Sequence, residues 1–151
     1  MSDLKTRLQD DLTGAIRARD EVTTATLRMA LAAITTEEVA GSNARELSDD
    51  EVLKVLARES KKRREAADAF GSAGRGELAE RERAEGSVLE RYLPAPLSDA
   101  EVGELVAAVI AETGASGMQQ MGAVMRVAQQ KAAGRADGKR LSTEVRRQLT
   151  G

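Results

Sequence analysis

Tyr92-Leu93-Pro94-Ala95-Pro96-Leu97-Ser98-Asp99-Ala100-Glu101-Val102 holds both prolines of the chain and, directly after them, the start signal of a helix. Each proline lacks an amide donor and disfavours helix at the residue before it, so this stretch interrupts any helical run that reaches it. Ser98 is a good N-cap, Glu101 three residues on completes a capping box, and Leu97 with Val102 makes a hydrophobic staple. We read residues 94–97 as a proline hinge between an N-terminal lobe over 1–93 and a C-terminal lobe over 98–151. Each lobe is near the small end of the size range for an independent domain, and neither can bury a large core.

Downstream of the hinge, Val102, Leu105, Val106, Val109 and Ile110 recur at i, i+3, i+4, i+7 and i+8, the clearest amphipathic stripe in the sequence. Gly114 ends that helix. The spacing predicts a sixth helix after Ser116 with Met118, Met121, Met125 and Ala128 on one face, closed by Gly134. Asp137 is the expected cap of a seventh helix, whose stripe is Leu141, Val145 and Leu149.

Upstream, Leu4, Leu8, Leu12 and Ile16 predict a first helix over roughly 2–19, and Leu27, Ala30, Leu31 and Ile34 a second. The Gly41-Ser42-Asn43 turn precedes a third helix whose start repeats the later punctuation, with Ser48 and Glu51 as capping box and Leu47 and Val52 as staple. Its apolar face runs through Val52, Val55, Leu56, Ala66, Ala67 and Phe70 to Gly71 and Gly74, where glycine accepts a left-handed helix end. A fourth helix over 77–92 carries Leu78, Val88, Leu89 and Tyr92. The β-branched and aromatic runs of strands are missing. The expected fold is all-α, a four-helix N-terminal lobe and a three-helix C-terminal lobe.

Composition excludes several chemistries. The 151 residues contain neither His nor Cys, which removes thiol nucleophiles, Ser-His-Asp triads, Cys/His zinc sites and haem ligation. With one Phe, one Tyr and no Trp, folds that stack bases on aromatic rings are disfavoured. A net charge of -2 argues against wholesale phosphate wrapping but permits a local basic region. There is no Walker or EF-hand loop, and the Asp49-Asp50-Glu51 run suits a helix start better than a metal. We expect no catalytic residue, no metal and no cofactor. No run approaches a membrane span of about 18 apolar residues, and Met1-Ser2-Asp3-Leu4-Lys5 does not open a secretory signal, so the expected location is cytoplasmic.

The most specific chemistry lies in Met121-Gly122-Ala123-Val124-Met125-Arg126 and Gly134-Arg135-Ala136-Asp137-Gly138-Lys139. Small residues there join a glycine-bounded loop that displays cations beside the free amides of a helix start, a way to hold phosphate. Seven bases against two acids leave +5 over residues 118–151, whereas residues 94–117 carry four acids and no base. The same residues also read as a C-cap at Gly134, an N-cap at Asp137 and a solvated cationic face. Lys139 and Arg140 oppose the helix macrodipole, which hints at a purpose beyond the helix.

Two other polar features read as structural. Lys61-Lys62-Arg63-Arg64 points in four directions on a helix and is matched by i, i+4 partners, Glu59 with Arg63, Lys61 with Glu65 and Arg64 with Asp68. Arg28, between Leu27 and Met29, is expected to join Glu59, Arg63 and Glu85 in a network between helices. The methionines read as core filler or as an adaptable binding face.

In order and spacing, these motifs resemble the GatB/YqeY family over essentially the whole chain. Gly114-Ala115-Ser116, Met121-Gly122-x-Val124-Met125 and Gly134-Arg135-Ala136-Asp137-Gly138 are similar to its second lobe. Thr26-Leu27-Arg28-Met29 with Ala32-Ala33-Ile34, Arg63-Arg64-Glu65-Ala66-Ala67 with Phe70, Ala73-Gly74-Arg75, Glu77-Leu78-Ala79 and Tyr92-Leu93-Pro94 are similar to its first. The resemblance implies an all-helical two-lobe protein related to the tRNA-contacting tail of the GatB subunit of the tRNA-dependent amidotransferase. It implies Gly122, Gly134, Arg135, Gly138 and Lys139 as the RNA-facing loop, to which the local cations add Arg126 and Arg140. Carbon–nitrogen ligase activity with glutamine as amido donor is associated at the level of the family, and no amidase or kinase module is legible in these residues. The expected function is therefore a tRNA-binding or tRNA-enzyme-associated accessory protein, with tRNA, an amidotransferase or another tRNA enzyme as partner. The alternative is a helical protein–protein adaptor without RNA binding. A free-standing enzyme is supported least, because no nucleophile and base stand together.

Overall fold

The computed structural model describes residues 2–151 and contains seven α-helices with no strand among them. They are α1 (Asp3–Ala18), α2 (Glu21–Glu38), α3 (Asp49–Ser72), α4 (Gly76–Glu90), α5 (Asp99–Thr113), α6 (Met121–Ala132) and α7 (Gly138–Thr150), with a 3-10 turn at Met118–Gln120 before α6. The chain divides into two compact units, one closing at Leu93 and one over Pro94–Gly151. Each unit has its own core.

In the first unit Leu8 of α1, Leu27 and Ile34 of α2, Leu56 of α3 and Leu89 of α4 are sealed from solvent. Gly86 is buried where α4 faces α3, and a Cβ there would stand at ordinary contact distance, 3.6 Å, from that of Arg63. The Arg63 guanidinium crosses the same contact to Glu82 at 3.3 Å and Glu85 at 3.5 Å, and Glu85 also meets Arg81 at 3.2 Å. Arg28 is not part of this network. It points to solvent from α2, while buried Glu59 pairs with Lys62 at 3.2 Å. Of the expected pairs along α3 only Lys61 with Glu65 forms, at 3.9 Å, because Arg63 finds two carboxylates on α4 instead of one on its own helix.

The end of this unit is held by Tyr92. Its hydroxyl donates to Asp11 at 2.5 Å, and the Arg7 guanidinium lies 4.7 Å from the ring centroid. Burial and the neighbouring carboxylate push the phenol well above its usual range, so Tyr92 remains a donor.

In the second unit each of α5, α6 and α7 packs on the other two around Val106, Val109, Val124, Ala128, Leu141 and Val145. Arg140 reaches Asp99 and Gln148 reaches the Gly103 carbonyl, both at 2.9 Å, so α5 and α7 run side by side in the same direction. The buried face of α6 is Val124, Ala128 and Ala132, whereas Met118 is exposed and Met121 and Met125 flank the core. A long thioether fills an edge; the closest helix contacts require smaller groups. Leu78 and Ile16 are likewise exposed, their places in the stripes taken by Ala79 and Ala15.

Both capping boxes form. Ser48 and Glu51 exchange bonds at 3.2 Å, and Ser98 and Glu101 at 3.1 and 3.0 Å. Each glutamate is held below the usual carboxylate range, chiefly by the serine N–H it accepts. Ser98→Ala is expected to cost about 1 kcal/mol, read as a lower denaturant midpoint with an unchanged slope, and Ser98→Asp to recover most of it.

Candidate functional site

The junction between α6 and α7 is built from two left-handed residues followed by a cap. Ala133 (φ 50) and Gly134 (φ +82) turn the chain out of α6. A left-handed conformation costs a residue with a Cβ about 1–2 kcal/mol, so the surrounding contacts must hold Ala133 there. Arg135 provides several. Its N–H donates to the Ala132 carbonyl at 2.9 Å, its own carbonyl accepts from Leu97 N–H at 2.8 Å, and its Nε donates to the Ala95 carbonyl at 2.9 Å. Ala136 is buried beneath it, and Asp137 caps α7 by accepting from Arg140 N–H at 2.8 Å.

Gly134, Arg135, Gly138, Lys139 and Arg140 therefore come together at this junction. Gly122 does not join them: it lies in the first turn of α6, about 16 Å along the helix from Ala133. Arg126 is exposed between the two ends. A Cβ on Gly122 would meet nothing within 4 Å, and one on Gly138 would meet only the Gln129 amide at 3.6 Å. Neither glycine is required by packing.

The cations of residues 118–151 fall into two sets. Lys131 pairs with Glu112 at 2.7 Å, Arg140 with Asp99 at 2.9 Å and Arg147 with Glu144 at 2.5 Å, while Arg135 is bound to the Ala95 carbonyl. Among the described residues Arg126, Lys139 and Arg146 have no acidic partner. The site residues expected from the sequence thus include two arginines with partners in the same unit, Arg135 at the Ala95 carbonyl and Arg140 at the exposed Asp99. Arg146 lies outside that expected set; its signal in the sequence is the seven-residue spacing from Lys139, which returns to the same side of a helix.

Glu144 is the most perturbed acid of this unit. Arg147 first, and then the Gln148 amide, hold its carboxyl down to about 2. The Gln148 amide bridges Glu144 at 2.8 Å and the Gly103 carbonyl, and a Cβ on Gly103 would come within 3.4 Å of Glu144 Oε1. A shallow groove of mixed charge lies alongside, lined by Asp99, Val102, Lys139, Arg140, Thr143 and Glu144. In the first unit a depression is lined by Ser2, Asp3, Glu46, Asp49 and Glu51 among others, and its acidity disfavours anions. Among the described residues no group of three or more His, Cys, Asp and Glu could hold a metal ion. Among the same residues no helix is long and apolar enough to cross a membrane.

A family model described as Yqey-like protein matches residues 5–149. The chain belongs to the YqeY family. This is the GatB/YqeY domain, and its association with the tail of an amidotransferase subunit supports a tRNA-enzyme-associated role at the level of the family. No curated protein matches the chain. Within this YqeY-family chain Lys139 stands at the α6–α7 junction, Arg126 on α6 and Arg146 further along α7.

Two outcomes test this geometry. Arg135→Ala removes the side-chain bond to Ala95 and is expected to raise the rate of limited proteolysis within 94–97, followed by mass spectrometry. Glu144→Gln is expected to lower the melting temperature at pH 6. A carboxyl depressed in the folded state contributes above its ordinary value and loses that contribution as the pH falls from about 4.5 towards 2, so the gap to wild type should close across that window.

Proposed function

We propose that this YqeY-family protein is a cytoplasmic accessory of tRNA metabolism that binds tRNA through its second lobe, alone or alongside an amidotransferase or another tRNA enzyme. The observation that carries this reading is the division of charge. Both acids of residues 118–151 are engaged, Asp137 in capping α7 and Glu144 with Arg147, while Arg126, Lys139 and Arg146 remain without acidic partners. Phosphate contacts require cations on a surface whose own carboxylates do not neutralise them. Gly134, Arg135 and Arg140 hold the junction on which Lys139 is displayed, while Gly138 and Gly122 stand in the first turns of α7 and α6 with room for a side chain. Residues 94–97 serve as the proposed hinge, with Ala95 and Leu97 strapped to Arg135.

The adaptor reading has its own support in Met118, exposed beside the partly buried Met121 and Met125. Titration with bulk tRNA over a salt series, against an RNA duplex of similar length, separates the two. The tRNA reading expects binding at micromolar protein or tighter, a preference for tRNA, and affinity that falls as salt rises. No binding at low salt would overturn it in favour of a protein partner.

A further inference from the structure

The exposed side of α7 is a ridge of alternating cations and hydroxyls. Lys139, Thr143, Arg146 and Thr150 stand at i, i+4, i+7 and i+11, and all four are exposed while Leu141 and Val145 fill the core on the opposite side. Lys139 and Arg146 are about 10 Å apart along the axis. The two acids in the adjoining groove, Asp99 and Glu144, are matched by Arg140 and Arg147. Lys139 lies in the first turn, against the helix macrodipole, so helix stability does not account for its charge.

We infer that this ridge tracks the phosphodiester backbone of a structured RNA, with Lys139 and Arg146 on separate phosphates and the Thr143 hydroxyl as a donor between them. The inference rests on the proposed tRNA reading and locates its contact along α7, beyond the junction, at a residue nothing else assigns. The chemistry of the ridge favours a nucleic-acid backbone over a protein. Protein interfaces draw their energy from buried aromatic, arginine and apolar anchors, and this side of α7 exposes no aromatic or large apolar group. Backbone contacts to phosphate need only cations and hydroxyl donors.

The test is binding of the full chain to bulk tRNA over a salt series, with helicity and melting temperature measured for every variant. Lys139→Gln with Arg146→Gln is expected to weaken binding and to reduce the slope of log affinity against log salt by about two, one for each lost phosphate contact. Thr143→Glu, which places a carboxylate between the two cations, is expected to weaken binding without loss of helicity. Lys131→Gln with Arg58→Gln changes the net charge equally, removes only cations paired with Glu112 and Glu37 away from the ridge, and is expected to keep the wild-type slope.

Wild-type affinity and slope in both the Lys139/Arg146 and Thr143 variants would overturn the ridge and leave the tRNA reading standing. Equal losses in the two double variants would overturn it as well, because binding would then follow net charge alone. Absence of wild-type binding at low salt would overturn both readings together.

Discussion

The second lobe depends on a bond between residues far apart in the chain, from the Leu97 N–H to the Arg135 carbonyl at 2.8 Å. Three short helices around a core of valine, alanine and leucine hold each other weakly, so the position of α5 relative to α7 must be set at their ends. The Leu97 bond does this immediately before α5, and the Arg135 side chain reinforces it at Ala95. With the start of α5 held, Asp99 lies within reach of Arg140 and Gly103 within reach of Gln148. The same residue therefore closes the lobe and supports the surface that displays Lys139.

The first lobe solves a similar problem differently. Its helices α3 and α4 face each other across buried Gly86, with the Cβ of Arg63 beside that contact. The Arg63 guanidinium with Glu82, Glu85 and Arg81 then balances charge at the edge of that contact. Partly buried ion pairs of this kind add little net stability, but removal of one partner leaves a costly uncompensated charge.

Across residues 118–151 the excess of base over acid is a poor guide to what a partner would meet. Most of those cations are committed within the protein, and among the described residues Arg126, Lys139 and Arg146 are the ones without an acidic partner. A paired guanidinium presents a weak field to a phosphate, whereas an unpaired one is available for it.

What the sequence determined by itself was local. The capping boxes at Ser48 and Ser98, the left-handed ends at Gly74 and Gly114, the Asp137 cap and the periodic stripes each depend on residues within a few positions, so the all-helical fold in two lobes was legible without tertiary information. The tertiary structure decided which charges are free and which small residues form the closest contacts. Arg135 reads from the sequence as a phosphate ligand, and its partner Ala95 is 40 residues away; Arg140 meets Asp99 across 41. Arg28 looks buried on an apolar helix yet faces solvent, and the Met118, Met121 and Met125 stripe yields to Val124, Ala128 and Ala132. The reason is physical: a cap is satisfied within one turn of its own helix, whereas an ion pair or a packed face depends on which helix arrives opposite, and that is settled only when the lobe closes.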